Sequence, residues 1–197
     1  KMLISKKDKL AITFKDDKYT YEQLLRYSQI YADKFSSETK PEKILICAQN
    51  SPEWCFAFYG AMRCKSIVVP LDAQSTKKEI EYVINDCRPD IVFISDDKKE
   101  MFADINLQGA RLYTKDNFQL SDDTSIAATD IPLGNLEDVM LINYTSGTTG
   151  NPKGVMLTYK NVMFNIDSVS KQVPIFQEDS NVMVLLPLHH ILPLLGS

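Results

Sequence analysis

Apolar residues along this chain fall into short continuous runs separated by amphipathic stretches, and that alternation sets the expected fold. Residues 43–48 (Lys-Ile-Leu-Ile-Cys-Ala), 66–70 (Ser-Ile-Val-Val-Pro) and 90–94 (Asp-Ile-Val-Phe-Ile) have almost no polar interruption. A strand buried on both faces of a parallel sheet reads this way, whereas a strand with one wet face alternates. Helical patterns with clear start signals lie between these runs. Thr20 caps a helix from Tyr21 to about Phe35, Gln23 completes a capping box, and Leu24, Leu25, Ile30 and Tyr31 supply the apolar face. Ser51-Pro52-Glu53 opens a second helix over 52–63, with proline at the first helical position. Thr76 and Glu79 open a third, which runs to about Asn85. A hairpin over 10–14 and 18–19, turning at Asp16-Asp17, precedes this set. A short helix over 97–104 and a strand over 110–114 follow it.

Strand and helix alternating in this order predict an α/β fold, a doubly wound and mostly parallel sheet with flanking helices. Residues 115–135 mix Asp, Ser, Thr and Gly with few large apolar residues and read as a connector, with a sub-boundary inside it. A new unit begins near Leu136: strand 139–144, a glycine-rich loop, strand 154–158, helix 159–172 capped by Thr158, and strand 181–186. The whole of 1–197 is expected to form one α/β body. Helix 52–63 carries Trp54, Phe56, Phe58, Tyr59 and Met62, which read as core packing rather than a ligand-stacking surface.

Composition narrows the class. With 197 residues and 44% hydrophobic content, the chain can remove roughly 70% of its unfolded surface from water. The net charge of −4 is mild and dispersed, so no nucleic-acid footprint is present. Cys47, Cys55, Cys64 and Cys87 form no Cys-x-x-Cys pair, which predicts reduced, mostly buried thiols in a cytoplasmic protein. The first residues lack the apolar core of a signal peptide. No run approaches the roughly 20 apolar residues of a membrane span, and peripheral membrane association stays open. The chain starts at Lys1 rather than methionine and stops at Leu-Leu-Gly-Ser straight after an apolar segment, so it reads as a fragment.

The chemistry is concentrated in residues 144–155, Tyr-Thr-Ser-Gly-Thr-Thr-Gly-Asn-Pro-Lys-Gly-Val. Thr145, Ser146, Thr148 and Thr149 offer hydroxyls, Gly147 and Gly150 let the backbone approach a ligand, and Lys153 adds a cation on a flexible stem. Successive backbone N–H groups in such a turn form a concave nest for an anion. A Walker A loop needs Gly-x-x-x-x-Gly-Lys-Ser/Thr opening a helix. It fails here, because Pro152 holds the second glycine's place and Gly154 follows the lysine. The flanking runs are strands, so loop N–H groups, hydroxyls and Lys153 must grip a polyphosphate without a helix terminus.

This string resembles the phosphate-binding signature of the adenylate-forming (AMP-binding) superfamily, which includes acyl-CoA synthetases, luciferases and peptide-synthetase adenylation domains. The resemblance implies that Thr145, Ser146, Gly147, Thr148, Thr149, Gly150 and Lys153 hold the β- and γ-phosphates of ATP. It also extends to the scaffold of strand, Ser-Pro-Glu helix and apolar strand ending in Pro-Leu. Cys64-Lys65 departs from it, because relatives often place Ala-Gly there, and the departure puts that local turn in question.

A second motif, Leu-Leu-Pro-Leu-His-His-Ile-Leu-Pro-Leu-Leu-Gly at 185–196, contains both histidines of the chain. Adjacent residues in an extended segment point to opposite sides, so the pair is not expected to bind one metal. The segment resembles the family's Pro-Leu-x-His signature, which implies that His190, with His189 beside it, borders the acyl pocket. Its form looks most like the long-chain acyl-CoA synthetases. Between Val182 and Ser197 there is no Asp or Glu, which favours an uncharged acyl tail, because a buried ammonium without a partner is costly.

The resemblance therefore implies part of an ATP-dependent ligase that activates a fatty acid as acyl-adenylate and transfers it to coenzyme A. Magnesium (Mg2+) would serve as cofactor, and ATP, fatty acid and coenzyme A would be its small-molecule partners. The family's Tyr-Gly-x-Thr-Glu and Thr-Gly-Asp elements and its C-terminal-domain lysine are absent from the sequence. No residue here is therefore expected to be catalytic, and the 197 residues alone are expected to be inactive. Alternatives are an amino-acid or aryl-acid adenylating enzyme of the same superfamily, a non-catalytic truncated nucleotide-binding module, or a phosphotransferase using the loop in its own way. The last would need a magnesium-binding carboxylate at a neighbouring strand end, and strands 139–144 and 181–186 end without one.

Overall fold

The computed structural model describes residues 7–145, 152–172, 183–184 and 186–190. The chain opens with the hairpin β1 (Leu10–Phe14) and β2 (Asp17–Thr20). Helix α1 (Tyr21–Phe35) follows at once: the Thr20 hydroxyl accepts from the Gln23 N–H at 3.2 Å, and Gln23 Oε1 accepts from the Thr20 N–H at 3.0 Å. This reciprocal pair satisfies two of the donors that a helix start leaves open. Strand β3 (Lys43–Cys47) leads to α2 (Pro52–Arg63), where the Ser51 hydroxyl accepts from the Trp54 N–H. Strand β4 (Ile67–Leu71), helix α3 (Lys77–Cys87), strand β5 (Ile91–Ile94), the short helix α4 (Lys99–Ala103) and strand β6 (Arg111–Tyr113) continue the alternation.

Strands β7 (Val139–Thr145) and β8 (Lys153–Thr158) then form a hairpin, followed by α5 (Tyr159–Gln172). Among the described residues, one sheet runs in the order β6-β5-β3-β4-β7-β8, parallel except for the final β7–β8 pair. The strand expected over 181–186 lies partly outside the described residues. The described ones, Met183, Val184 and Leu186, carry no strand.

Alternate side chains of each central strand enter opposite layers. Ile44, Ile46, Val68, Ile91 and Phe93 pack with α1 and α2 on one face. Leu45, Cys47, Val69, Val92 and Ile94 pack with Ile80, Val83 and Ile84 of α3 and Phe102 of α4 on the other. Two covered faces explain why these strands are apolar at successive positions. Helix α2 is core, as its aromatic content predicts. Trp54 and Phe56 are fully buried, and Phe56 meets Tyr19, Tyr27 and Tyr31 edge-on at 5.5, 5.2 and 6.1 Å.

The stretch linking β6 to β7 is tied down despite its polar composition. Phe118 stacks flat on Tyr31 with centroids 3.7 Å apart. Arg26 donates to the carbonyls of Asp122 and Ile126, Tyr27 donates to Asp122 Oδ1, and Arg63 donates to the Thr129 carbonyl. These contacts hold the segment against α1 and the last residue of α2.

The turn after α2, where the sequence departs from its resemblance, forms without glycine. The Ser66 N–H donates to the Ala61 carbonyl at 3.0 Å, and the Lys65 N–H donates to the Met62 carbonyl at 2.9 Å. These are the two bonds of a Schellman cap, with Lys65 in the left-handed position at φ +56°. A non-glycine residue there costs about 1–2 kcal/mol, offset by the greater freedom that glycine has in the unfolded chain. Lys65→Gly is therefore expected to stabilise the fold by about 0.5–1 kcal/mol. Chemical denaturation would read this as a higher midpoint at unchanged slope, and a lower midpoint would contradict it.

Candidate functional site

The C-terminal ends of β3, β4 and β7 point to one edge of the sheet, the position where open α/β sheets bind ligands. Both candidate motifs gather there. The β7–β8 ladder closes on the pair Thr145↔Lys153. The loop that sequence reasoning singled out therefore begins and ends at facing residues on this edge. Both Thr145 and Lys153 are exposed. Ser146, Gly147, Thr148, Thr149 and Gly150 lie outside the described residues.

Residues flanking the loop have packing roles. Tyr144, one residue before Thr145, donates its hydroxyl to Asp86 Oδ2 of α3 at 2.5 Å. Burial, and then this carboxylate, push the Tyr144 hydroxyl well above the ordinary phenol range, so it stays a donor. Gly154 pairs with Tyr144 across the hairpin. A Cβ there would come within 2.8 Å of Ile142 Cγ2 and 3.1 Å of the Tyr144 ring. The glycine after the lysine thus makes room for the Tyr144 ring to lie across the neighbouring strand.

The described part of the histidine segment, residues 186–190, is not extended. After Pro187 the chain turns, and the His190 N–H donates to the Pro187 carbonyl at 3.0 Å. The expectation that the two rings point to opposite sides is corrected by this turn, which brings their centroids to 4.2 Å at a 43° tilt. Leu188 and His189 are buried while His190 is exposed. Leu188 joins the α1–α2 side of the core. His189 Nε2 stands 3.8 Å from Asp72 Oδ2, just past the end of β4. Burial holds the His189 imidazole below its usual pKa, opposed by Asp72.

Asp72 directly follows the last residue of β4, and Thr145 is the last residue of the adjacent parallel strand β7, so both stand at this edge. The same edge therefore carries the loop's first hydroxyl, a carboxylate and the histidine pair. A cavity of about 210 Å³ lies among Gln49, Asn50, Asp72, Gln74 and His189. Asn50, Asp72, Asp86 and Gly154 were not legible as site residues, because their partners are remote in the chain. For Gly154 the signal was its place beside Lys153.

The four cysteines are free thiols. Burial pushes Cys47 up to about 12 and Cys87 up to about 11, which makes both poor nucleophiles. Among the described residues no group of three or more His, Cys, Asp or Glu side chains could hold a metal ion. No described helix is long and apolar enough to cross a membrane.

A family model described as AMP-binding enzyme matches residues 4–196. The chain is 26% identical to bacitracin synthase 2 of Bacillus licheniformis over 90% of its own length and 7% of that protein. It is also 26% identical to the long-chain-fatty-acid–CoA ligase FadD13 of Mycobacterium tuberculosis, over 89% of this chain and 36% of the relative. Among solved structures, ATP-bound MatB from Rhodopseudomonas palustris superposes with a TM-score of 0.84 at 26% identity. That superposition covers 98% of this chain and 40% of MatB. The chain thus spans well under half the length of each of these proteins.

Proposed function

The chain belongs to the AMP-binding enzyme family of adenylate-forming ligases, and on that premise we propose that it forms part of a cytoplasmic ATP-dependent fatty-acid–CoA ligase. The reaction has two halves. A carboxylate oxygen attacks the α-phosphorus of ATP and expels pyrophosphate, giving acyl-adenylate. The sulfur of coenzyme A then attacks the acyl carbon and expels AMP. The first half turns a carboxylate, whose leaving group would be oxide, into an ester with a good leaving group.

The observation that carries this reading is the hydroxyl-rich loop and Lys153 closing the β7–β8 hairpin at the ligand-binding edge. Lys153 neutralises charge on the β- and γ-phosphates. Thr145 and the loop residues Ser146, Gly147, Thr148, Thr149 and Gly150 donate hydrogen bonds to them. Positioning and charge neutralisation of this kind supply most of the catalysis in such a step. Magnesium, with ligands mostly outside these residues, would add further charge neutralisation at the phosphates. His189 and His190 border the acyl site.

The fatty-acid preference rests on the absence of Asp and Glu from Val182 to Ser197. A second reading, activation of an amino acid, is favoured by Asp72, which brings one carboxylate to 3.8 Å from His189. Competition between fatty acids and amino acids in pyrophosphate release by the whole protein separates them. A fatty tail gains about 0.8 kcal/mol per buried methylene, so kcat/KM is expected to rise about fourfold per added carbon until the pocket is full. An amino acid with the higher kcat/KM would overturn the fatty-acid half and leave adenylation standing.

A further inference from the structure

Asn50 sits in the turn between β3 and α2, just before the capping residue Ser51, and its side chain leaves its own element entirely. Its Nδ2 donates to the Leu186 carbonyl at 3.0 Å, and its Oδ1 accepts from the Leu188 N–H at 2.7 Å. The two arms of one planar amide thus hold the backbone on both sides of Pro187. The chemistry of the partners fixes which arm is which, because a carbonyl accepts and an N–H donates. Proline has no N–H of its own, so the bonds on either side of it carry the tethering of this short turn. The turn in turn sets His190, through its bond to Pro187, and His189, which sits against Asp72.

Two further observations bear on what the clamp does. The 210 Å³ cavity lies directly beside His189, between Gln49, Asn50 and Gln74, so space exists into which an untethered ring could slide. Asp72 is itself held in place, because its Oδ1 accepts from the Gln74 N–H at 2.8 Å. Asp72 and Asn50 line this cavity together with His189, so the carboxylate, the amide and the open volume all adjoin the ring.

We propose that Asn50 is a positioning residue for the acyl-site wall, clamping the backbone around Pro187 so that His189 and His190 are held at the ligand-binding edge of the sheet. The proposal rests on the reading of His189 and His190 as acyl-site residues. It places the determinant of that wall nearly 140 positions upstream in sequence (136 and 138 residues separate Asn50 from its two partners).

The test uses Asn50→Ala and Asn50→Asp. The first removes both arms. The second keeps the acceptor but turns a carboxylate oxygen toward the Leu186 carbonyl. In the whole protein, Asn50→Ala is expected to raise KM for the acid about tenfold, the effect of two lost hydrogen bonds, while KM for ATP stays within about twofold. Combined with His189→Ala, it should add little to the effect of His189→Ala alone, because both act through one wall.

Histidine NMR reads the same clamp without activity. The chain has two histidines, and loss of the tether should move the His189 titration up toward the ordinary imidazole value as the ring becomes solvated. An unchanged His189 titration together with unchanged KM for the acid would overturn the proposal. So would an equal loss in both Michaelis constants with a lowered melting temperature, which is the mark of a merely structural role. If the wild-type protein adenylates no acid, the functional reading fails, and the His189 titration still decides whether Asn50 holds the turn.

Discussion

Replacing Thr148 and Lys153 together with alanine is expected to lower acid-dependent exchange between pyrophosphate and ATP by about a hundredfold or more in the whole protein, with the fold intact. Each lost hydrogen bond to a charged phosphate is worth about 1.5–3 kcal/mol, and about 1.4 kcal/mol is a factor of ten in rate. The structure supports the intact fold. Lys153 is exposed at the start of β8, its backbone pairs with Thr145, and its side chain anchors no described contact. The packing at this hairpin end comes instead from Tyr144 on Asp86 and the close approach of Gly154. The loss should fall mainly on KM for ATP and on kcat, and leave KM for the acid nearly unchanged. Unaltered exchange kinetics in a variant with a wild-type melting temperature would remove the phosphate-grip assignment.

The second large effect is on the scaffold. Phe56→Ala is expected to destabilise the fold by about 3–5 kcal/mol, the range for a fully buried aromatic ring replaced by alanine. For a domain of this size each kcal/mol corresponds to about 2–4 °C, so the melting temperature should fall by about 10 °C. Phe56 is fully buried at the centre of the α1–α2 contact, with Tyr19, Tyr27 and Tyr31 around it. Rigid neighbours of this kind close the void poorly, which places the cost in the upper part of the range. Because α2 starts directly after Asn50 and Ser51, a loosened helix also loosens the clamp on the histidine turn. A fall of less than about 3 °C would show that the aromatic cluster is not what fastens α1 to α2.

Local chemistry was legible in the sequence because its causes are local. Capping boxes at Thr20 and Thr76, the Ser51-Pro52 helix start and the apolar runs of β3, β4 and β5 each depend on residues within a turn or a strand length. The string 144–155 is local in the same sense, since its hydroxyls, glycines and lysine lie within a dozen consecutive positions, and the proposed anion grip rests on them. Other features were decided only when distant segments met. Residues 115–135 read from composition as a polar connector, yet Phe118 stacks on Tyr31, and Arg26 and Arg63 bind the segment's carbonyls. Lys65 shows the converse: a residue poorly suited to the left-handed turn adopts it because the two cap bonds and the packing of α2 against the sheet require it.

The same division runs through the site. The sequence, through its family resemblance, marked Thr145 and Lys153 as phosphate-binding candidates and His189 and His190 as candidates for the acyl pocket. Tertiary structure decided that a turn after Pro187 buries one histidine and exposes the other, that Asp72 brings a carboxylate to a neighbourhood locally free of them, and that Asn50 holds the turn. The physical reason is one of range. Backbone propensity and capping act over three or four residues, so sequence order carries them. A side-chain amide or carboxylate acts over a few ångströms of space, and only the folded sheet brings Asn50 to 3.0 and 2.7 Å from residues 186 and 188 and Asp72 to 3.8 Å from His189.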